Sequence, residues 1–108
     1  MRRPKVPHVL LAGSDDVWKL RRAAAAFLRK LRDYLAISGP YHVSMGSDAD
    51  DGVLGSMQAG RYTFRVRRIV EDSIVMLTVS KGQALPLASI NLRHTQSWQF
   101  ETLSSYIS

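Results

Sequence analysis

The sequence predicts an α+β domain, with one long amphipathic helix packed on a small, mostly antiparallel sheet of three to four strands and a short C-terminal element. Three observations predict it. Apolar residues recur at three- and four-residue spacing between Val17 and Leu35, apolar and polar residues alternate from Arg61 to Arg67, and a nearly unbroken apolar run follows from Ile74 to Val79. The chain of 108 residues, 45% of them apolar, has room for one domain spanning 1–108 and for a single core without a metal or disulfide.

Residues 1–7, with Pro4 and Pro7 among basic side chains, read as a mobile basic arm or an edge segment. His8 to Ala12 reads as a short strand, which Gly13 and Ser14 break. The helix is predicted from Ser14 to Ile37, with Ser14 as N-cap and Asp15 and Asp16 in the first turn, where carboxylates favour the helix dipole. Its apolar stripe is Val17, Leu20, Ala24, Phe27, Leu28, Leu31, Tyr34 and Leu35. The run Ala23 to Ala26 favours helix and keeps the profile low between arginines. Ser38-Gly39-Pro40 is expected to end the helix, glycine as cap and proline as stop.

Tyr41 to Met45 reads as a short strand. The stretch 46–60 carries four glycines and three aspartates and is predicted to be a long loop. Tyr62, Phe64 and Val66 then alternate with Arg61, Thr63, Arg65 and Arg67, a half-buried strand whose pattern slips at Arg68-Ile69 and predicts a bulge there. Glu71-Asp72-Ser73 is the expected hairpin connection. Ile74 to Val79 has the composition of a central strand covered on both faces. Leu85 to Arg93 supplies a further strand, with Pro86 at its start or edge. In the tail, Trp98 and Phe100 fit a strand, whereas Phe100, Leu103 and Ile107 fit a short helix capped by Ser97. The helix is the favoured reading. Trp98, Phe100, Tyr106 and Ile107 either cover the core or form the seam of a homodimer.

The net charge is +6, and its distribution is the main functional signal. Residues 1–33 hold nine Lys or Arg against three Asp, and residues 61–70 hold four Arg. Two basic blocks fit contact with a phosphate backbone. On the helix, Trp18, Arg21, Arg22, Ala25, Arg29 and Arg32 repeat at helical spacing, rotated by roughly a quarter turn from the apolar stripe. Such a ribbon would lie along phosphates, with Trp18 free to stack on a base. Arg61, Arg65 and Arg67 would form a second anion platform on one strand face. The bland readings are a solvated helix face and a sheet face kept soluble.

The leading expectation is therefore a small basic, non-enzymatic protein that contacts DNA or RNA through these two rows. The alternative is a protein-interaction module, such as a small phage- or plasmid-type inhibitor or adaptor that occupies the acidic surface of a host complex. The relative orientation of the rows separates the two. One continuous surface favours a polyanion, and rows on opposite sides favour charge kept for solubility or for a protein partner.

Other chemistry finds little footing. With no cysteine there is no disulfide scaffold, cysteine nucleophile or thiolate metal site. His8, His42 and His94 lack ligand spacing, so neither a metal nor a cofactor is predicted. Asp48-Ala49-Asp50-Asp51-Gly52 resembles a calcium loop but lacks the glycine at the sixth position and the terminal glutamate, where Ala59 stands. Gly55 to Gly60 has the first spacing of a phosphate loop, but Arg61-Tyr62 replaces Lys-Ser/Thr. No Ser-His-Asp set can be selected, and no catalytic residue is assigned. Met1-Arg2-Arg3-Pro4-Lys5 has the charge of a signal-peptide start, but the apolar run Val9 to Ala12 is too short for one. No segment reaches membrane-spanning length, and a cytoplasmic protein is expected.

One segment carries a resemblance to a known family. The string from Gly60-Arg61-Tyr62-Thr63-Phe64-Arg65 through Glu71-Asp72-Ser73 to Ile74-Val75-Met76-Leu77-Thr78-Val79 is similar to the central hairpin of the RelE/ParE toxin superfamily, where a basic helix precedes it. Ser80-Lys81-Gly82 follows, where the family usually has a strand ending in a basic or histidine residue. The resemblance implies a toxin-like ribonuclease or gyrase poison, with Arg61, Arg65, Lys81 and His94 as the residues to test.

Overall fold

The long helix runs from Val17 to Leu35 (α1) in the computed structural model, which describes residues 16–47, 52–69, 74–82, 86–92 and 97–107. The basic arm, the strand at His8 to Ala12, Ser14, Asp15, the calcium-like aspartates, the turn Glu71-Asp72-Ser73, Arg93 and His94 lie outside the described residues. α1 starts later than Ser14 predicts. Its N-cap is Asp16, whose Oδ1 accepts from the backbone N–H groups of Trp18 at 3.0 Å and Lys19 at 3.4 Å. It also ends earlier than Gly39. Ala36 takes the left-handed conformation (φ 54°), and the N–H groups of Ala36 and Ile37 donate back to the carbonyls of Asp33 and Arg32.

After α1 come β1 (Tyr41–Met45), β2 (Val53–Ala59), β3 (Tyr62–Ile69), β4 (Ile74–Lys81), β5 (Ala88–Asn91) and α2 (Ser97–Tyr106). The strands form one antiparallel meander in the order β1-β2-β3-β4-β5. Among the described residues the sheet thus has five strands, not three or four. The extra strand, β2, comes from the segment 46–60 that its glycines and aspartates marked as loop.

The reason is packing. Gly55 lies beneath α1, where a Cβ would meet Ala24 Cβ at 3.5 Å and Leu28 Cδ1 at 3.6 Å, so a small residue there lets the helix settle on the sheet. Ala59 and Met57 continue the buried face, while Gln58 points out. Gly60 (φ 59°) and Arg61 then make the two-residue turn between the paired Ala59 and Tyr62.

Two finer expectations are corrected. The β3–β4 register runs unbroken to Ile69 opposite Ile74, so there is no bulge at Arg68-Ile69; the register shift lies in β2, between Val53 and Gly55. β5 is shorter than Leu85 to Arg93, and Pro86 precedes it.

Both helices lie on one face of the sheet. Leu20, Phe27 and Leu31 of α1 share a core with Met57, Phe64, Val66, Leu77 and Val79, and α2 adds Phe100 and Leu103. Phe100 meets Phe27 and Tyr34 edge to face, with ring centres 6.1 and 6.3 Å apart. The tail is therefore a helix that closes the core through Phe100, while Trp98 and Tyr106 stay exposed. The opposite face of the sheet carries no layer among the described residues. β4 shows it: Val75, Leu77 and Val79 are buried, whereas Met76, Thr78 and Ser80 are only half-buried, so the strand is not covered on both faces as its composition suggests. Among the described residues no helix is long and apolar enough to cross a membrane.

Candidate functional site

The basic ribbon of α1 is divided by its own geometry. Seen down the axis, Arg21 and Ala25 fall on the flank of the core-facing arc, and both are buried, Arg21 to 5% exposure. The Arg21 guanidinium lies over the Trp18 ring, 4.9 Å from its centre, and Trp18 is otherwise exposed. Arg32, half-buried, reaches the sheet edge, with its guanidinium 4.4 Å from the centre of the Tyr41 ring and Nη1 3.4 Å from Asp33 Oδ1. Of the four arginines, Arg22 and Arg29 are the exposed pair. They share the solvent arc with Trp18, Lys19, Ala26, Lys30 and Asp33. Lys19 and Lys30 were not singled out in the sequence, although their spacing from Arg22 and Ala26 places them on this arc.

The second row forms on β3 as the alternation predicts. Tyr62, Phe64 and Val66 enter the core, and Arg65 and Arg67 are exposed on the opposite face. Register then supplies their neighbours. Ser44, Ser56, Arg65, Thr78 and Ser89 lie side by side across all five strands, His42, Gln58, Thr63 and Ser80 across four, and Val53, Arg67, Met76 and Asn91 across the other end. The face spans about 19 Å at the usual strand spacing. Of these residues, Ser56 and Gln58 were hidden in the presumed loop, and only the pairing with β3 reveals them. Arg61 stands apart, exposed in the turn after β2.

Electrostatics single out this face. The carboxylates of the described residues are Asp16, Asp33 and Glu101, all on or capping helices, and none is on the sheet. Among the described residues Arg65 and Arg67 have no carboxylate partner. The two rows do not meet, since α1 covers one face of the sheet and Arg65 and Arg67 project from the other. The sequence-derived ribbon and strand row therefore do not make one continuous surface.

At the C-terminal end of α1 an open cleft of about 380 Å³ is lined by Leu35, Ile37, Arg61, Tyr62, Lys81 and Ile107, among others. Lys81 Nζ lies 6.0 Å from the centre of the Tyr62 ring. Of the four toxin-like positions, Arg61 and Lys81 meet here, Arg65 is on the outer sheet face, and His94 is outside the described residues. Two strands, β1 and β2, intervene between α1 and the hairpin β3–β4, where the toxin resemblance implies that the hairpin follows the basic helix. No group of three or more His, Asp or Glu side chains that would hold a metal occurs among the described residues.

No protein-family model, curated protein or solved structure matches this chain.

Proposed function

We propose that the protein binds nucleic acid through the outer face of its sheet, contacting the phosphate backbone without reading bases. The observation that carries this is that Arg65, paired with Ser56 and Thr78, and Arg67, paired with Val53 and Met76, stand exposed on a sheet face that has no carboxylate among the described residues. Phosphate oxygens only accept hydrogen bonds. Arg65, Arg67, Ser56, Thr63, Thr78, Gln58 and Asn91 all supply donors. The same face has no Phe, Tyr or Trp among the described residues, its ring there being the His42 imidazole at the β1 edge, so it lacks the large aromatic anchor that commonly centres a protein interface and offers little stacking platform for unpaired bases. That combination favours sequence-independent contact. The opposed rows count toward solubility charge or a protein partner, so the nucleic-acid reading rests on the sheet face alone.

Anisotropy titrations of a labelled mixed-sequence duplex test the reading. Binding is expected to weaken as salt rises, and the double variant Arg65→Glu, Arg67→Glu is expected to lose at least about tenfold in affinity at low salt, since two attractive contacts become repulsive. Unchanged binding by that variant, or no binding by the wild type at low salt, sinks the proposal.

The opposed rows leave an acidic protein as the second reading, and one edge of the sheet supports it. Among the described residues β1 has one neighbour, and its Tyr41 and Met45 are exposed. Capture of a single protein that survives nuclease treatment, and is lost with Tyr41→Ala, would favour it.

A further inference from the structure

We infer that the domain has a second nucleic-acid surface, the solvent arc of α1, and that it links two separate nucleic-acid segments. This rests on the proposed function of the sheet face and adds to it a binding surface on the other side of the molecule. The arc presents Lys19, Arg22, Arg29 and Lys30, all exposed. Arg22 and Arg29 lie about 10.5 Å apart along the axis and on nearly the same azimuth. Ala26 sits exposed between them and leaves the surface low enough for close approach. Among the described residues one carboxylate lies on this arc, Asp33, against the Arg32 guanidinium at 3.4 Å. Four described cations against that partly neutralised carboxylate make a positive strip that an anion laid along it would relieve.

The topology decides what such an arc does. Both helices pack on one face of the meander, so the α1 arc points away from Arg65 and Arg67 with the helix and sheet layers between. The shortest principal extent of the fold is 22 Å. A straight duplex lying on the sheet face cannot reach the helix arc across those layers. A polyanion on the arc is therefore a second segment, and one copy of the chain holds two.

The test uses the full chain, a duplex fixed on beads and a second, fluorescent duplex in solution. Protein bound to the beads is expected to capture the fluorescent duplex. The double variant Arg22→Glu, Arg29→Glu is expected to bind the bead duplex within about threefold of wild type, with capture of the second duplex reduced at least about tenfold. Circular dichroism checks that this variant keeps the fold. Wild-type protein that loads the beads but captures nothing overturns the inference and leaves the sheet-face reading standing. Capture that persists in the helix variant also overturns it, since linkage then comes from self-association. Failure of wild type to load the beads at all overturns the sheet-face reading, and this inference with it.

Discussion

The guanidinium of Arg32 lies 4.4 Å from the centre of the Tyr41 ring, which fastens the last turn of α1 to the edge strand β1. A cation over an aromatic face at a partly exposed site contributes about 0.5–1 kcal/mol. A double-mutant cycle with Arg32→Ala and Tyr41→Phe is not the informative one, because phenylalanine keeps the ring face. Arg32→Ala with Tyr41→Ala is expected to show a coupling of about 0.5–1 kcal/mol in urea melts. Additive losses would show that the two side chains stabilise the fold independently.

Two glycines of the same strand pairing behave oppositely. A Cβ on Gly46 would collide with the backbone carbonyl of Val53, and backbone cannot move aside as a side chain tip does. A Cβ on Gly55 meets Ser44 O at 3.4 Å, Ala24 Cβ at 3.5 Å and Leu28 Cδ1 at 3.6 Å, all ordinary contact distances. Gly46→Ala is therefore expected to destabilise by about 1–3 kcal/mol, while Gly55→Ala stays within about 1 kcal/mol of wild type. Gly55→Leu would force α1 off the sheet. Denaturant midpoints of the three variants give the ranking, and a Gly55→Ala as damaging as Gly46→Ala would contradict the packing described.

The same two glycines explain what the sequence hid. Period-2 alternation made β3 legible, and periodicity with a closing Phe100 made both helices legible, because each signal is local. β2 was not legible, because its Gly55 is selected by the helix above it and not by its own strand, and because small residues in a strand look like turn chemistry. Arg21 failed as a surface residue for a related reason. Its position is on the flank of the apolar arc, and no local pattern records how wide that arc becomes once the helix is packed. Arg65 and Arg67 were legible as exposed, but their surroundings came from strand register.

Ala36 offers a stabilising change. It holds φ at 54° to close α1, a conformation that crowds Cβ against the following carbonyl at about 1–2 kcal/mol. Ala36 is exposed, so its methyl contributes little packing. Ala36→Gly is expected to raise stability by about 0.5–1 kcal/mol, after the added flexibility of the unfolded chain is set against the relieved strain. Thermal melts check it. Loss of stability would mean that the methyl group makes a contact worth more than the strain.

The most specific consequence of the sheet-face reading is the form of its salt dependence. If Arg65 and Arg67 each neutralise one phosphate, replacing either by Gln removes one counterion released on binding. The slope of log affinity against log salt should then become shallower by about 0.9 for each substitution on duplex DNA. Because neither side chain has a carboxylate partner among the described residues, replacing it unmasks no compensating repulsion there. If both side chains contact phosphate alone, the loss should also be the same on unrelated sequences. A slope unchanged by both substitutions would place the phosphates elsewhere. A loss that varies with sequence would mean that Arg65 or Arg67 reaches a base edge and contributes to recognition as well as to affinity.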